Sequence, residues 1–167
     1  MTFNLDDFWL GVRLLLLLAV ANSAPIVAKN AFGTRWNAPL DAGWHFVDGR
    51  PLLGPSKTVR GLVAAVAGTA LAAVLMGFSF GLGAVLGALA MLGDALSSFV
   101  KRRLNVMSGG RATGIDQIPE ALLPLLVLSG KLGLSLPAVA AITLAFFVLE
   151  IPLARLSFRL GLRDRPY

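Results

Sequence analysis

No cysteine occurs in this 167-residue chain. Disulfides, thiol nucleophiles and thiolate metal sites are therefore excluded, and the redox compartment is left open. Histidine occurs once, as His45. That rules out a histidine metal cage, and the side chain reads better as interfacial than as a catalyst. Charge is scarce as well. Only 14% of residues are charged against 56% hydrophobic, and mean hydropathy is +0.76. A soluble domain of this size carries about 25% charged residues, so the expectation is an integral membrane protein. The spacing of a Walker A phosphate loop is missing, and no repeat or low-complexity segment is found. What charge there is sums to +6. The positives lie in loops beside apolar runs, which points to membrane orientation and anionic ligands, with no nucleic acid as a partner.

The apolar runs predict an all-α bundle of about five transmembrane helices, near 8–28, 59–77, 79–99, 117–130 and 136–157. Spans of ~20 residues use up the length, so residues 1–167 form a single domain with no separate soluble part. Leu14 to Val20, followed by Ala21-Asn22-Ser23-Ala24, has the look of a signal peptide. A cleavable signal wants a positive start, whereas Asp6 and Asp7 precede it and Arg13 is its only cation. The segment is therefore read as a retained first span. Gly77-Phe78-Ser79 joins the second and third spans into an antiparallel hairpin. Five spans put the termini on opposite sides. With the N-terminus outside and the C-terminus cytoplasmic, 13 of 15 Lys and Arg fall inside, leaving Arg13 and Lys131 outside. Loops 29–58 and 100–116 then face the cytoplasm from the cell membrane. Gly77, Gly81, Gly83 and Gly87 form a stripe that lets helices approach closely. Packing within the chain is the favoured use of the stripe, and a homodimer through that face is the alternative.

Three polar clusters share the expected cytoplasmic edge. In the first, Asn22 precedes Pro25 near the end of the first span, where a proline can kink the helix and free carbonyls. Asn22 can recognise a ligand or bond to another helix. The second is the aperiodic stretch from Pro39 to Gly61, long enough to suggest function. Gly54-Pro55-Ser56-Lys57-Thr58 runs into the second helix, where backbone donors with Ser56, Lys57, Thr58 and Arg60 can hold phosphate oxygens. A plain helix start with flanking charge is the other reading. In the third, Asp94 ends an apolar run, a costly place for a carboxylate without a partner. Helical spacing puts Asp94, Ser97, Ser98 and Lys101 on one face. A glycine-rich link (Gly109, Gly110, Gly114) then leads to Asp116 and Glu120, four apart at a helix start. Carboxylates there suit magnesium with phosphates completing its shell, or Asp116 serves as an N-cap. Glu150 sits in the fifth span with no readable partner.

Two long motifs carry a family resemblance. Asp48-Gly49-Arg50-Pro51-Leu52-Leu53-Gly54-Pro55-Ser56-Lys57-Thr58 and Gly93-Asp94-Ala95-Leu96-Ser97-Ser98-Phe99-Val100-Lys101-Arg102-Arg103-Leu104, with Asn22 before them and Asp116-Gln117-Ile118-Pro119 after, resemble the phosphatidate cytidylyltransferase superfamily. The short five-span members, the CDP-archaeol synthases, are the nearer match over almost the whole chain. The resemblance implies transfer of a cytidylyl group from CTP to a lipid phosphate (archaetidic or phosphatidic acid-like), releasing pyrophosphate. It implies Mg2+ on Asp94 and Asp116, with Lys101 as a further catalytic position. Contacts to CTP and headgroup would come from Asn22, Asp48, Arg50, Ser56, Lys57, Thr58, Arg60, Ser98 and Arg102. Such chemistry needs positioning and charge neutralisation more than a covalent nucleophile. One position departs from the family: the acid three residues after Asp116 is replaced by Pro119. Glu120 is then the expected third metal ligand. The alternative is a non-catalytic protein that binds a nucleotide or a phospholipid headgroup. A transporter fits less well, because the ionisable residues gather at one edge. The sequence pattern of CDP-alcohol phosphotransferases is absent.

Overall fold

The computed structural model describes residues 5–107, 110 and 114–163; Gly109, Arg111 and Arg165 lie outside the described residues. It contains the five expected helices: α1 (Leu5–Phe32), α2 (Val59–Leu75), α3 (Phe80–Arg103), α4 (Gln117–Leu132) and α5 (Leu136–Arg159). Each packs on the next in chain order, α5 closes the ring against α1, and α1 also touches α3. α1 runs on through Pro25 to Phe32. The Pro25 ring faces α2 at Gly61, where a Cβ would sit 3.3 Å from it. α3 continues past the expected end to take in Lys101, Arg102 and Arg103, cations that suit the negative end of a helix dipole.

Among the described residues, only α1, α3 and α5 are long and apolar enough to cross a bilayer; α2 is apolar but shorter. At 1.5 Å per residue, α3 and α5 are about 36 Å long, whereas α2 (17 residues) and α4 (16 residues) reach only about 24–26 Å. A short turn at Gly77 (φ +83°) joins α2 to α3, and one at Gly133 (φ +66°) joins α4 to α5. The partners are thus level at that end, and the long helices outrun the short ones by about 10–12 Å at the other. There the segment between α1 and α2 folds over a recess.

Leu14, Leu17 and Leu18 of α1 meet Leu86 of α3, Leu125 of α4 and Val139, Ile142 and Phe146 of α5 in an apolar core at the turn end. Apolar side chains such as Leu71, Leu75, Val127 and Leu144 point outward and are exposed, as expected of surface that meets lipid rather than water. Gly83 packs its Cα against Ala70 and Thr69 of α2, and Gly87 does so against Ala65 and Thr69. These two glycines are thus used inside the chain, while Gly81 faces open space.

Candidate active site

At the recessed end lies a cleft of about 830 Å³. All five helices and the segment before α2 reach it. Among the described residues, five cations (Lys29, Lys57, Arg60, Lys101, Arg163) and four acids (Asp94, Asp116, Glu120, Glu150) line it. Charge this dense beside apolar helices is stable only if it is paired, and the pairing is specific. Lys57 Nζ lies 2.5 Å from Asp94 Oδ2, joining the start of α2 to α3. Lys101 Nζ lies 2.5 Å from Asp116 Oδ1, joining the end of α3 to the start of α4. Asp116 has helical backbone angles and its side chain makes no capping bond. The N-cap role is therefore not the one it plays.

The segment between α1 and α2 has little regular structure but is tightly determined. The Asp41 carboxylate accepts backbone N–H bonds from Leu53 (2.8 Å), Gly54 (3.0 Å) and Gly43 (3.1 Å). Burial alone would raise its pKa, yet these donors outweigh burial and hold it below the usual aspartate value. Arg60 donates from Nη1 to the carbonyls of Gly33 (2.8 Å) and Arg35 (2.7 Å), fixing the exit from α1. Thr58 caps α2 by accepting from Gly61 N at 3.1 Å.

The expected set of site residues divides in two. Asn22, Ser56, Lys57, Thr58, Arg60, Asp94, Lys101, Asp116 and Glu120 line the cleft together. Asp48, Arg50, Ser98 and Arg102 do not. Asp48 pairs with Arg103 at 2.7 Å, and Arg50 donates from Nη1 to the Arg103 carbonyl at 2.5 Å. Arg103 also lies 4.9 Å from the ring centroids of Phe46 and Phe99. These contacts clamp the loop onto the end of α3. Ser98 is buried in α3 outside the cleft, as is Ser97, whose hydroxyl bonds to the Gly93 carbonyl. Only Asp94 and Lys101 of the expected polar face therefore reach the cavity. Backbone donors at the start of α2 are also less available than expected. Lys57 N bonds to Gly54 O and Val59 N to Ala38 O, so those two donors are already used.

Two features escaped the sequence. Gly93 lies directly under α4: a Cβ there would be 2.6 Å from the Pro119 carbonyl carbon and 2.8 Å from the Glu120 Cα. The glycine beside Asp94 thus sets how closely the helices carrying Asp94 and Glu120 approach. The second is Glu150, whose partner is Arg163 at 3.0 Å. A lone acid in an apolar helix was a signal in itself. Its cation follows a turn at Gly161 (φ +70°), beyond the end of the helix.

Comparison with known proteins shows what the chain as a whole is similar to. A family model described as CarS-like, CDP-archaeol synthase, matches residues 10–167. A CDP-archaeol synthase of Aeropyrum pernix is 37% identical over 175 aligned positions, covering 99% of this chain and 95% of that one. One from Sulfurisphaera tokodaii is 37% identical, with 89% of each chain covered. Among solved structures, an intramembrane enzyme for archaeal membrane lipids biosynthesis superimposes with a TM-score of 0.70 at 33% identity. That match covers 85% of this chain and 90% of the other. Likeness over nearly the whole length of both chains, in sequence and in fold, is more than a shared motif, and this chain belongs to the CDP-archaeol synthase family.

Proposed function

We propose that this integral membrane protein joins CTP to a lipid phosphate. An oxygen of the lipid phosphate attacks the α-phosphorus of CTP. The bond from that phosphorus to the oxygen bridging it to the β-phosphate breaks, and its electron pair leaves with pyrophosphate. The other product is a CDP-lipid. The observation that carries this reading is the pair of ion pairs in one cleft, Lys57 with Asp94 and Lys101 with Asp116. Each acid is neutralised by a lysine from a different element. A triphosphate entering the cleft would offer its oxygens to both lysines, leaving the two carboxylates available to hold a cation.

The donor set fits magnesium, which uses one or two protein carboxylates and completes its shell with phosphate oxygens and water. Among the described residues, no group of three acids or histidines is disposed to cage an ion without a substrate. Asp94 and Asp116 would hold it, with Glu120 as the neighbouring acid. Bound there, it would neutralise charge on the triphosphate. Lys29 and Arg60, on the cleft wall, add to the positive field over the phosphates. The cleft faces the cytoplasm from the cell membrane in this proposal; the 13-to-2 split of Lys and Arg supports that sidedness.

Incubating detergent-solubilised protein with labelled CTP, magnesium and a panel of lipid phosphates should yield labelled CDP-lipid. Asp94→Asn and Asp116→Asn should each lower turnover about 10²–10³-fold, the usual loss of a charge-stabilising contact. Binding of CTP without turnover on any lipid phosphate would replace this reading with that of a non-catalytic binder.

A further inference from the structure

Glu150 lies in an apolar helix, is buried, and belongs to neither family motif. Its two oxygens are both used. Oε1 takes the Arg163 guanidinium at 3.0 Å, and Oε2 accepts from Gln117 Nε2 at 3.0 Å. Arg163 Nη2 in turn donates to Asn22 Oδ1 at 2.5 Å, and Asn22 Nδ2 donates to Glu120 Oε2 at 3.0 Å. Gln117 and Glu120 are both on α4, three residues apart. The bonds therefore close a circuit: α4 to α5, on through the turn after α5, across to α1, and back to α4.

The direction of every bond in the circuit is dictated by chemistry. A guanidinium only donates, so Arg163 forces the oxygen of the Asn22 amide toward itself. The amide nitrogen must then face Glu120. Arg163 is held in place by Glu150, and Glu150 by Gln117. The chain of side-chain bonds from Gln117 ends on Glu120, the carboxylate that stands one residue beyond the position where the family pattern has its acid. We propose that Glu150 and Arg163 are positioning residues for the transfer reaction. They act through Asn22 to hold the Glu120 carboxylate toward the cleft, which makes the turn after α5 part of the active site. This inference rests on the proposed cytidylyl transfer. The circuit itself can be tested without it.

Partners that orient a ligating group typically cost about 10–100-fold in activity when removed. Arg163→Ala should lower kcat by that factor, with KM for CTP little changed, and added guanidinium ion should restore part of the loss. In a Glu120→Gln background the same substitution should change kcat less than about threefold, because a residue acting through Glu120 has nothing left to position. A full additional loss in that background, or wild-type kcat in Arg163→Ala, would overturn the positioning role. The cycle is repeated on melting temperature in detergent with Arg163→Ala and Asn22→Ala, which needs no turnover. Non-additive shifts are expected, and strictly additive ones would show that the circuit does not couple these residues. A parent protein without turnover but with coupled melting shifts would count against the transfer reaction while leaving the circuit standing.

Discussion

Gly93→Ala tests how the site is built with the smallest possible change. A methyl group at this position would lie 2.6 Å from the Pro119 carbonyl carbon and 2.8 Å from the Glu120 Cα. Ordinary carbon contacts lie at about 3.5–4.0 Å. The obstacle is backbone, so no rotamer change relieves it, and α3 and α4 must separate by about 1 Å. Overpacking of this kind costs roughly 1–3 kcal/mol. Alanine returns about 1 kcal/mol through its better helix propensity, so the net destabilisation is about 0–2 kcal/mol. The effect on catalysis is larger. Asp94 is the next residue on α3 and Glu120 is the contact on α4, so the shift separates two acids of the cleft. Misplacement by 1 Å can cost about 10²-fold in rate. The assay is melting temperature together with turnover of labelled CTP, with Gly130→Ala as control. Gly130 lies on α4, where a Cβ meets nothing within 4 Å, so that variant should keep full activity and melt no lower. Equal activity and melting in Gly93→Ala and the parent would refute the claim that close approach at Gly93 sets the site.

Glu120→Gln should leave folding intact and cut turnover about 10²–10³-fold; full activity would reduce Glu120 to a helix-start charge. Asp41 ties the loop before α2 with a carboxylate held below its ordinary value of 3.8. Its contribution to stability is therefore complete above that value and is lost as pH falls through the lowered one. Acid melting curves of the parent should show this loss, and Asp41→Ala should flatten it while destabilising the protein at neutral pH. Because the chain has no cysteine, Thr34→Cys and Ser135→Cys can be labelled singly with an impermeant maleimide on intact cells. Ser135→Cys should react and Thr34→Cys should not; the reverse pattern would invert the proposed orientation.

Much was legible in the sequence because a bilayer leaves a chain few options. Backbone polar groups must be satisfied within each span, so runs of apolar residues can only be helices, and five were expected and found. Motif residues from both loops met in one place because α1, α3 and α5 all end on the same side. Helix lengths were harder to read. The second and fourth spans were expected near 59–77 and 117–130, and only the short turns holding α2 and α4 level with α3 and α5 revealed a recess beneath the segment before α2.

Composition and order along the chain determined the membrane class, the helix count, the family and the residues most able to handle a triphosphate. Tertiary structure decided which of those residues share the cavity. Asp48 and Arg50 stand in the same motif as Lys57, yet they clamp Arg103 outside the cleft. Contact at Gly93 is between two backbones, and no side-chain pattern announces it. Glu150 and Arg163 are 13 residues apart, a spacing that no helix periodicity relates. They meet because the chain reverses at Gly161, and a reversal brings together side chains that local sequence cannot pair.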